Sequence, residues 1–512
     1  MRAKNSLKNI FFNIGGQILI LLSKFITQKV FIDFLGVEYL GANSLIVNII
    51  SLLNITELGI STAITFSLYK PLAEQNNEKI KSIVYLYKKF YIFVGCLILL
   101  LGLLLTFFLQ NFITTTIDIG VIKRIYILYL IQSVFSYFFM SYKSTILIAD
   151  QKNYLVNLRY NIVTFLANIM QIIIIYSTKS WYLYVIVLVV STILKNIWVG
   201  KKVDRLYPFI KEKKYKKLQE DEKIELYKNI LGISTYKLSG TVLTSTDNVI
   251  ISKFLNVTIT GIYSNYQIIS NALTNFINII FSSITSSIGN LNVTEDCNKK
   301  EEIFNCLFLF DSWLCGFCSI SLICLYNQFI GIYFGKNYIF SLFIVILIVL
   351  NFLTDGMNNV VTVYKDACGL FWKGKVRPII SASLNLIISF FLVKSMGVAG
   401  VILGTILSRF MITWWYDSNL IYRHVFEKGA LSYYLKYTKY LFITIFLGVI
   451  TYSLCMPFMD YTIFGFIICL FICIFFPNMF YFIFFKNTKE FKILYKYIKN
   501  IKDHYPKSKK TE

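Results

Sequence analysis

The chain reads as an all-α polytopic membrane protein of about 14 transmembrane helices. They are arranged as two parallel, pseudo-symmetric six-helix bundles plus two additional C-terminal helices. Three observations predict this. Of its 512 residues 56% are hydrophobic and the mean hydropathy is +0.62, more apolar than a soluble chain of this length. The apolar residues fall in runs of roughly 20, the length that crosses a bilayer. A set of short motifs recurs at one offset in the two halves.

The spans are expected near 10–34, 42–68, 84–109, 120–147, 155–177, 181–200, 230–254, 259–289, 303–326, 338–364, 377–394, 398–420, 438–456 and 461–485. Cations mark every even-numbered exit: Lys70, Lys79 and Lys81; Lys152; Lys201 to Lys228; Lys299 and Lys300; Lys373 and Lys375; Arg423 and Lys428; then Lys486 to Lys510. With Arg2, Lys4 and Lys8 before the first span, the positive-inside rule places both termini in the cytoplasm. Lys123 and Arg124, at an expected outer end, do not follow the pattern. The start MRAKNSLKN is basic. The apolar run behind it holds Gln17 and Lys24 and no small-residue cleavage site, so the first helix is expected to stay.

At an offset of 220, Lys8-Asn9-Ile10 aligns with Lys228-Asn229-Ile230. Phe34, Leu35, Val37, Gly41 and Ser44 align with Phe254, Leu255, Val257, Gly261 and Ser264. Six spans separate the copies. An even number keeps orientation, so the repeat is parallel, with a pseudo-two-fold axis along the membrane normal. The domains follow: an N-terminal bundle 1–200, a basic cytoplasmic linker 201–229, a second bundle 230–420, two further helices in 438–485, and a basic tail 486–512.

Several spans carry polar residues on one face. In the eighth, Ser264, Gln267, Asn271, Asn275, Asn278, Ser282 and Thr285 recur at helical spacing. The first carries Asn13, Gln17, Lys24 and Gln28; its repeat partner, the seventh, carries Lys237, Thr241, Thr244 and Asn248. The second carries Asn43, Asn54, Glu57, Ser61 and Thr65. Buried against lipid such faces are costly, so they meet protein or water. Four faces paired by symmetry can surround a central cavity, with rocking of the bundles giving alternating access. The alternative for each face is interhelical packing.

Lys24 and Lys237 lie within their spans, where a lysine costs roughly 2.5–3.5 kcal/mol on insertion scales. They either hold an anion such as a phosphate or snorkel to the nearest interface. Arg159 and Arg409 lie inside the fifth and twelfth spans, to bind the same anion or to pair with Asp150 or Asp417. The candidate substrate-binding set is therefore Lys24, Lys237, Gln17, Gln28, Asn271, Asn275, Asn278, Arg159 and Arg409. Buried acids Glu57, Asp247, Asp311 and Asp355 serve as proton or Na⁺ sites, or as structural partners for cations; Glu57, Asp247 and Asp355 are the ion-coupling candidates. The amides both donate and accept, which suits sugar hydroxyls.

The residues Gly36-Val37-Glu38-Tyr39-Leu40-Gly41-Ala42-Asn43, then Glu57-Leu58-Gly59-Ile60 and Ser67-Leu68-Tyr69-Lys70-Pro71-Leu72, resemble Wzx-type oligosaccharide flippases. So do Thr246-Asp247-Asn248-Val249-Ile250-Ile251-Ser252-Lys253-Phe254-Leu255 and Gly261-Ile262-Tyr263-Ser264-Asn265-Tyr266. Elsewhere the match is one of helix number and hydropathy. The resemblance implies the multidrug/oligosaccharidyl-lipid/polysaccharide exporter (MOP) fold in a bacterial inner membrane. It implies flipping of undecaprenyl-pyrophosphate-linked oligosaccharide repeat units to the outer leaflet for capsule, exopolysaccharide or O-antigen assembly. Expected partners are that lipid-linked sugar, membrane lipid, H⁺ or Na⁺, and a polysaccharide polymerase with its chain-length regulator. In that superfamily cavity cations hold the pyrophosphate, a role that falls here to Lys24 and Lys237.

Other classes fit less well. Net charge is +24, from 51 Lys+Arg against 27 Asp+Glu, but the cations cluster between apolar runs, so no nucleic-acid partner is expected. The two histidines, His424 and His504, sit in basic flanks, which excludes a histidine metal cluster; no metal, cofactor or catalytic residue is expected. The ten cysteines, Cys315-Gly-Phe-Cys318 among them, read as small apolar core residues. No P-loop is present. A multidrug or metabolite antiporter of the same fold would prefer an acidic or aromatic cavity. A membrane polysaccharide polymerase would need a long outer loop.

Overall fold

The computed structural model describes residues 2–54, 60–212, 220, 224, 228, 245–370, 374 and 376–504. The expected sites Lys237 and Glu57 lie outside them, as do most of the linker and residues 230–244 of the seventh span. Among the described residues eleven helices are long and apolar enough to cross a membrane, matching expected spans three to six and eight to fourteen. This is a multi-pass membrane protein, helical throughout the described residues.

The elements, in order, are α1 (Arg2–Leu35), α2 (Val37–Leu53), α3 (Ile60–Ala73), α4 (Asn77–Phe108), α5 (Ile119–Phe138), α6 (Ser144–Ala149), α7 (Asn153–Thr178), α8 (Trp181–Leu206) and α9 (residues 245–254). There follow α10 (Val257–Thr294), α11 (Cys297–Tyr333), α12 (Leu342–Gly356), α13 (Asn359–Ala367), α14 (Arg377–Met396) and α15 (Val398–Ser408). The last are α16 (Trp415–Ile421), α17 (Leu431–Cys455), α18 (Ile463–Phe485) and α19 (Lys489–His504).

Among the described residues three expected spans are interrupted, the tenth by a turn at Met357 and Asn358 between α12 and α13. The fourth breaks after α5, where Met140 takes a left-handed conformation (φ 58°), and resumes as α6. A left-handed residue cannot continue a right-handed helix. The twelfth runs as α15 and α16 with wider π turns at Arg409–Trp414 and Tyr422–Phe426, the kind of irregularity that shifts the faces of a helix.

The contacts divide the chain into two compact units. The first comprises residues 1–265 and 378–404, the second residues 266–377 and 405–512. In the first, α1 packs along α7, and α4, α5 and α8 pack together. Small residues permit this: Gly102 of α4 accepts the Tyr126 hydroxyl of α5 on its carbonyl at 3.0 Å, with Leu130 against its Cα.

The repeat leaves a mark inside this unit. A Cβ on Gly41 would lie 1.8 Å from the Val257 carbonyl oxygen, and one on Gly261 would lie 2.3 Å from that of Val37. Val37 and Val257 are repeat mates, as are Gly41 and Gly261. A contact in which i meets j and j meets i is isologous, the signature of a two-fold axis. The two copies of the motif thus cross each other where α2 meets the start of α10.

The polar face expected on the second span is split among neighbours. Tyr129 and Trp181 donate to Asn43 Oδ1 at 2.6 and 3.2 Å, and Ser133 and Tyr137 donate to Asn54 Oδ1 at 2.7 and 3.2 Å. These amides hold α2 to α5 and α8, so packing decides their orientation. Asn54→Leu removes the acceptor that the Ser133 and Tyr137 hydroxyls share and should cost about 1–3 kcal/mol, read as a lower melting temperature of the purified protein. An unchanged melt would show those bonds to be dispensable.

In the second unit α11 is the central post, with α12, α17, α18 and α19 against it. Its N-terminal half is packed by aromatic rings: Phe304 meets Tyr364, Tyr422, Phe426 and Tyr433, and Phe308 meets Tyr433, Tyr437 and Tyr440. The two C-terminal helices are tied in by Trp313 to Asn478 at 2.8 Å and Thr444 to Tyr481 at 2.7 Å.

Candidate functional site

The amide stripe stands on α10. One side of this helix is buried through Ile268, Ile277 and Phe281. Asn271, Asn275, Asn278 and Ser282 point the other way and are exposed. The three asparagine side chains make no hydrogen bond among the described residues. Each can make up to four. An amide left unpaired in hydrocarbon costs roughly 2–7 kcal/mol, so this face is built for water or for a polar solute. Ser264, Gln267 and Thr285, at the ends of the stripe, are half-buried.

On α1, Ser23 and Thr27 form the packed side, Ser23 accepting from Asn168 of α7 at 2.7 Å. Gln17 and Lys24 lie on the exposed side together with Ile18, Leu22 and Ile26. Lys24 has no ion pair or hydrogen bond among the described residues. Gln28 is engaged, donating to Asn265 Oδ1 at 2.5 Å. Lys24 and Gln17 belong to the first unit, and Asn271, Asn275 and Asn278 to the second.

Arg159, on α7, donates to the Leu155 carbonyl at 2.6 Å and lies over the Trp198 ring, 5.6 Å from its centre. It has no carboxylate partner among the described residues; Asp150 is held instead by Lys152 at 2.6 Å and by the Tyr207 hydroxyl. Arg409 sits at the first π turn and is fully engaged. It meets Asp355 Oδ1 at 3.0 Å, Asn351 Oδ1 at 2.8 Å, the Asn351 carbonyl at 2.9 Å and Thr354 at 3.0 Å. Asp355 is 57% exposed, so the pair presents a carboxylate edge outward. Asp247 is buried on α9, as are Thr246, Asn248 and Ser252.

Sequence reasoning missed a second charged cluster. Asp417 Oδ2 accepts from Lys365 at 2.7 Å and Arg377 at 2.9 Å, and Arg377 reaches Thr413 at 3.0 Å. All three charged groups are buried. The signal was weak because Lys365 and Arg377 lie at span ends, where cations are ordinary orientation markers. Asp311 is fully buried on α11 and accepts from Asn359 at 3.2 Å; no cation lies within ion-pair distance among the described residues. An apolar cleft of about 380 Å³ opens between α11, α12 and α17, lined by Ile320, Ile346, Leu353, Ile445 and Val449 among others.

Exposed amides and a lysine with no partner among the described residues lie on helices of membrane-crossing length, and the two repeat copies cross at paired glycines. Comparison with solved structures makes the fold specific. The chain is similar to the lipid II flippase MurJ in an inward closed conformation, with TM-score 0.66 and 16% identity over 93% of this chain and 98% of that one. It is similar to an inward-facing multidrug resistance MATE family transporter of the MOP superfamily, with TM-score 0.64 and 12% identity over 80% and 98%. A MATE transporter of Vibrio cholerae follows, with TM-score 0.58 and 11% identity over 83% and 99%. No family model and no curated protein sequence matches the chain. The fold is that of the MOP-superfamily transporters.

Proposed function

We propose that this protein is a flippase that carries undecaprenyl-pyrophosphate-linked oligosaccharide repeat units from the inner to the outer leaflet of a bacterial cell membrane, for capsule, exopolysaccharide or O-antigen assembly. The observation that carries this reading is the exposed, unpaired amide face of Asn271, Asn275 and Asn278 on a membrane-spanning helix. Those amides replace the water that sugar hydroxyls lose on entering the membrane. Lys24, and Lys237 by the repeat, supply cations for the pyrophosphate through charge-assisted hydrogen bonds. The polyprenyl tail needs no polar site; hydrocarbon, or an apolar cleft such as the one beside α17, accommodates it. Both termini lie in the cytoplasm, and no bond is made or broken.

Transport against a gradient needs coupling, and H⁺ or Na⁺ is the ion class that membrane carboxylates serve. Asp355, Asp247 and Glu57 are the coupling candidates, and Gln17, Gln28, Arg159 and Arg409 are further candidate substrate-binding residues. Asp355 has Arg409 as its counter-charge, so an ion arriving there competes with a guanidinium. The MATE likeness favours one second reading, a multidrug or metabolite antiporter on the same scaffold.

The test is leaflet accessibility of the lipid-linked unit in cells lacking the gene. Accumulation on the cytoplasmic leaflet, reversed by the wild-type chain, is expected. An unchanged leaflet distribution together with altered export of cationic drugs would support the antiporter instead. An unchanged distribution with ungrown polymer outside would point to a polymerase. Lys24→Ala and the triple change of Asn271, Asn275 and Asn278 to Leu should each lower flipping at least tenfold while the protein stays in the membrane. Full flipping by both variants would remove these residues from the site.

A further inference from the structure

Four cysteines meet where α11, α17 and α18 pack together, away from every residue assigned above. Cys324, Cys455, Cys469 and Cys473 are 0–2% exposed and form one cluster. The sulfurs of Cys324, Cys455 and Cys473 lie within 4.8 Å of one another, one from each helix. All are free thiols.

Apolar packing alone explains a buried cysteine, but the surroundings add two things. The fourth sulfur, Cys469 Sγ, accepts a hydrogen bond at 3.3 Å from Nε2 of Gln328, a side chain 2% exposed that also donates to the Phe458 carbonyl at 3.2 Å. This amide fixes the Cys469 sulfur beside the other three and gives the buried cluster a polar neighbour. Met459 also packs against the cluster.

We propose that Cys324, Cys455 and Cys473 form a binding site for a soft monovalent d¹⁰ cation of the Cu(I) class. Thiol and thioether sets select soft ions. A metal–sulfur bond of about 2.3 Å puts three sulfurs about 4.0 Å apart around a central ion, so small rotations of the side chains close the site. Coordination number separates the metals, because structural Zn(II) takes four ligands and three sulfurs meet here. A monovalent ion that displaces one thiol proton, Cys–SH + M⁺ giving Cys–S–M + H⁺, adds no net charge to the core. A divalent ion stays neutral by displacing two thiol protons, but Zn(II) would still lack the fourth ligand that it takes. No oxidant or reductant enters this exchange. Cys469 directs its own S–H to the Cys455 carbonyl at 3.6 Å and stands in the outer ring.

The experiment uses the full chain purified in detergent under anaerobic conditions. Cu(I) is presented from its bicinchoninate complex, with Ag(I) as a redox-inert probe. One equivalent should transfer, with an X-ray absorption spectrum of about three sulfur neighbours at about 2.3 Å, and Ag(I) should raise the melting temperature. Cys324→Ser, Cys455→Ser and Cys473→Ser should each bind at least tenfold more weakly, while Cys96→Ser and Cys297→Ser bind as wild type. A serine variant that fails gel filtration is replaced by the corresponding alanine variant. If both fail, the wild-type stoichiometry, spectrum and Ag(I) stabilisation decide. Transfer of no equivalent, uptake that survives Cys473 replacement, or preferential tetrahedral Zn(II) binding would each overturn the proposal. So would ready conversion of two of the thiols to a disulfide with no metal uptake.

Discussion

Replacing Asp417 by alanine should be among the most damaging single changes in the second unit. The carboxylate is 1% exposed and shared by Lys365, also 1% exposed, and Arg377, 8% exposed. Removing one member of a buried charge cluster leaves the others desolvated, a loss of about 3–5 kcal/mol. The melting temperature of the purified protein should fall by many degrees, and yield from the membrane should fall with it. Asp417→Asn keeps the shape and one acceptor, so it should lose less. Combining Asp417→Leu with Lys365→Met and Arg377→Met should recover much of the loss, because apolar residues of similar volume replace a buried ion cluster at little or no cost. Asp417→Ala melting like wild type would mean that the cations find other partners at no penalty, and the cluster would then have no structural role.

The limits of sequence reasoning show at four places in this chain. Spans were legible because 20-residue apolar runs have few other uses, and the match between expected and observed helices follows from that. The break after Phe138 was not, since neither glycine nor proline marks it and the left-handed residue there is Met140. The polar faces illustrate the harder difficulty. Asn43 and Asn54 look in sequence like Asn271 and Asn275, yet the first pair meets hydroxyls and an indole from α5 and α8 while the second pair is exposed. What separates them is the residue type on a neighbouring helix, which no single periodicity contains. The same holds for Arg409, which takes Asp355 rather than Asp417, because Asp417 is already claimed by two cations. Gly41 and Gly261 were visible as a repeated residue. That the two copies touch each other was not.

That contact supplies the other large effect. Gly41→Ala should destabilise the first unit strongly, because the new methyl would lie 1.8 Å from the Val257 carbonyl oxygen and 2.8 Å from the Gly261 nitrogen. Both obstacles are backbone, so no side-chain rotation relieves them, and the helices must separate. Overpacking of this kind costs typically about 1–3 kcal/mol and occasionally more. Gly261→Ala meets the Val37 carbonyl at 2.3 Å and the Val37 Cγ2 at 2.9 Å, and should act in the same direction. The two changes strain one crossing, so the double variant should lose clearly less than the sum of the singles. Gly429→Ala, whose new methyl would meet nothing within 4 Å, is the control and should melt as wild type. Thermal melting of the four proteins in one detergent decides the matter. If Gly41→Ala and Gly261→Ala both melt as the control does, the repeat copies do not meet at their glycines. If the singles add fully, each glycine serves a separate contact, and the two-fold crossing of α2 and α10 is not the joint described above.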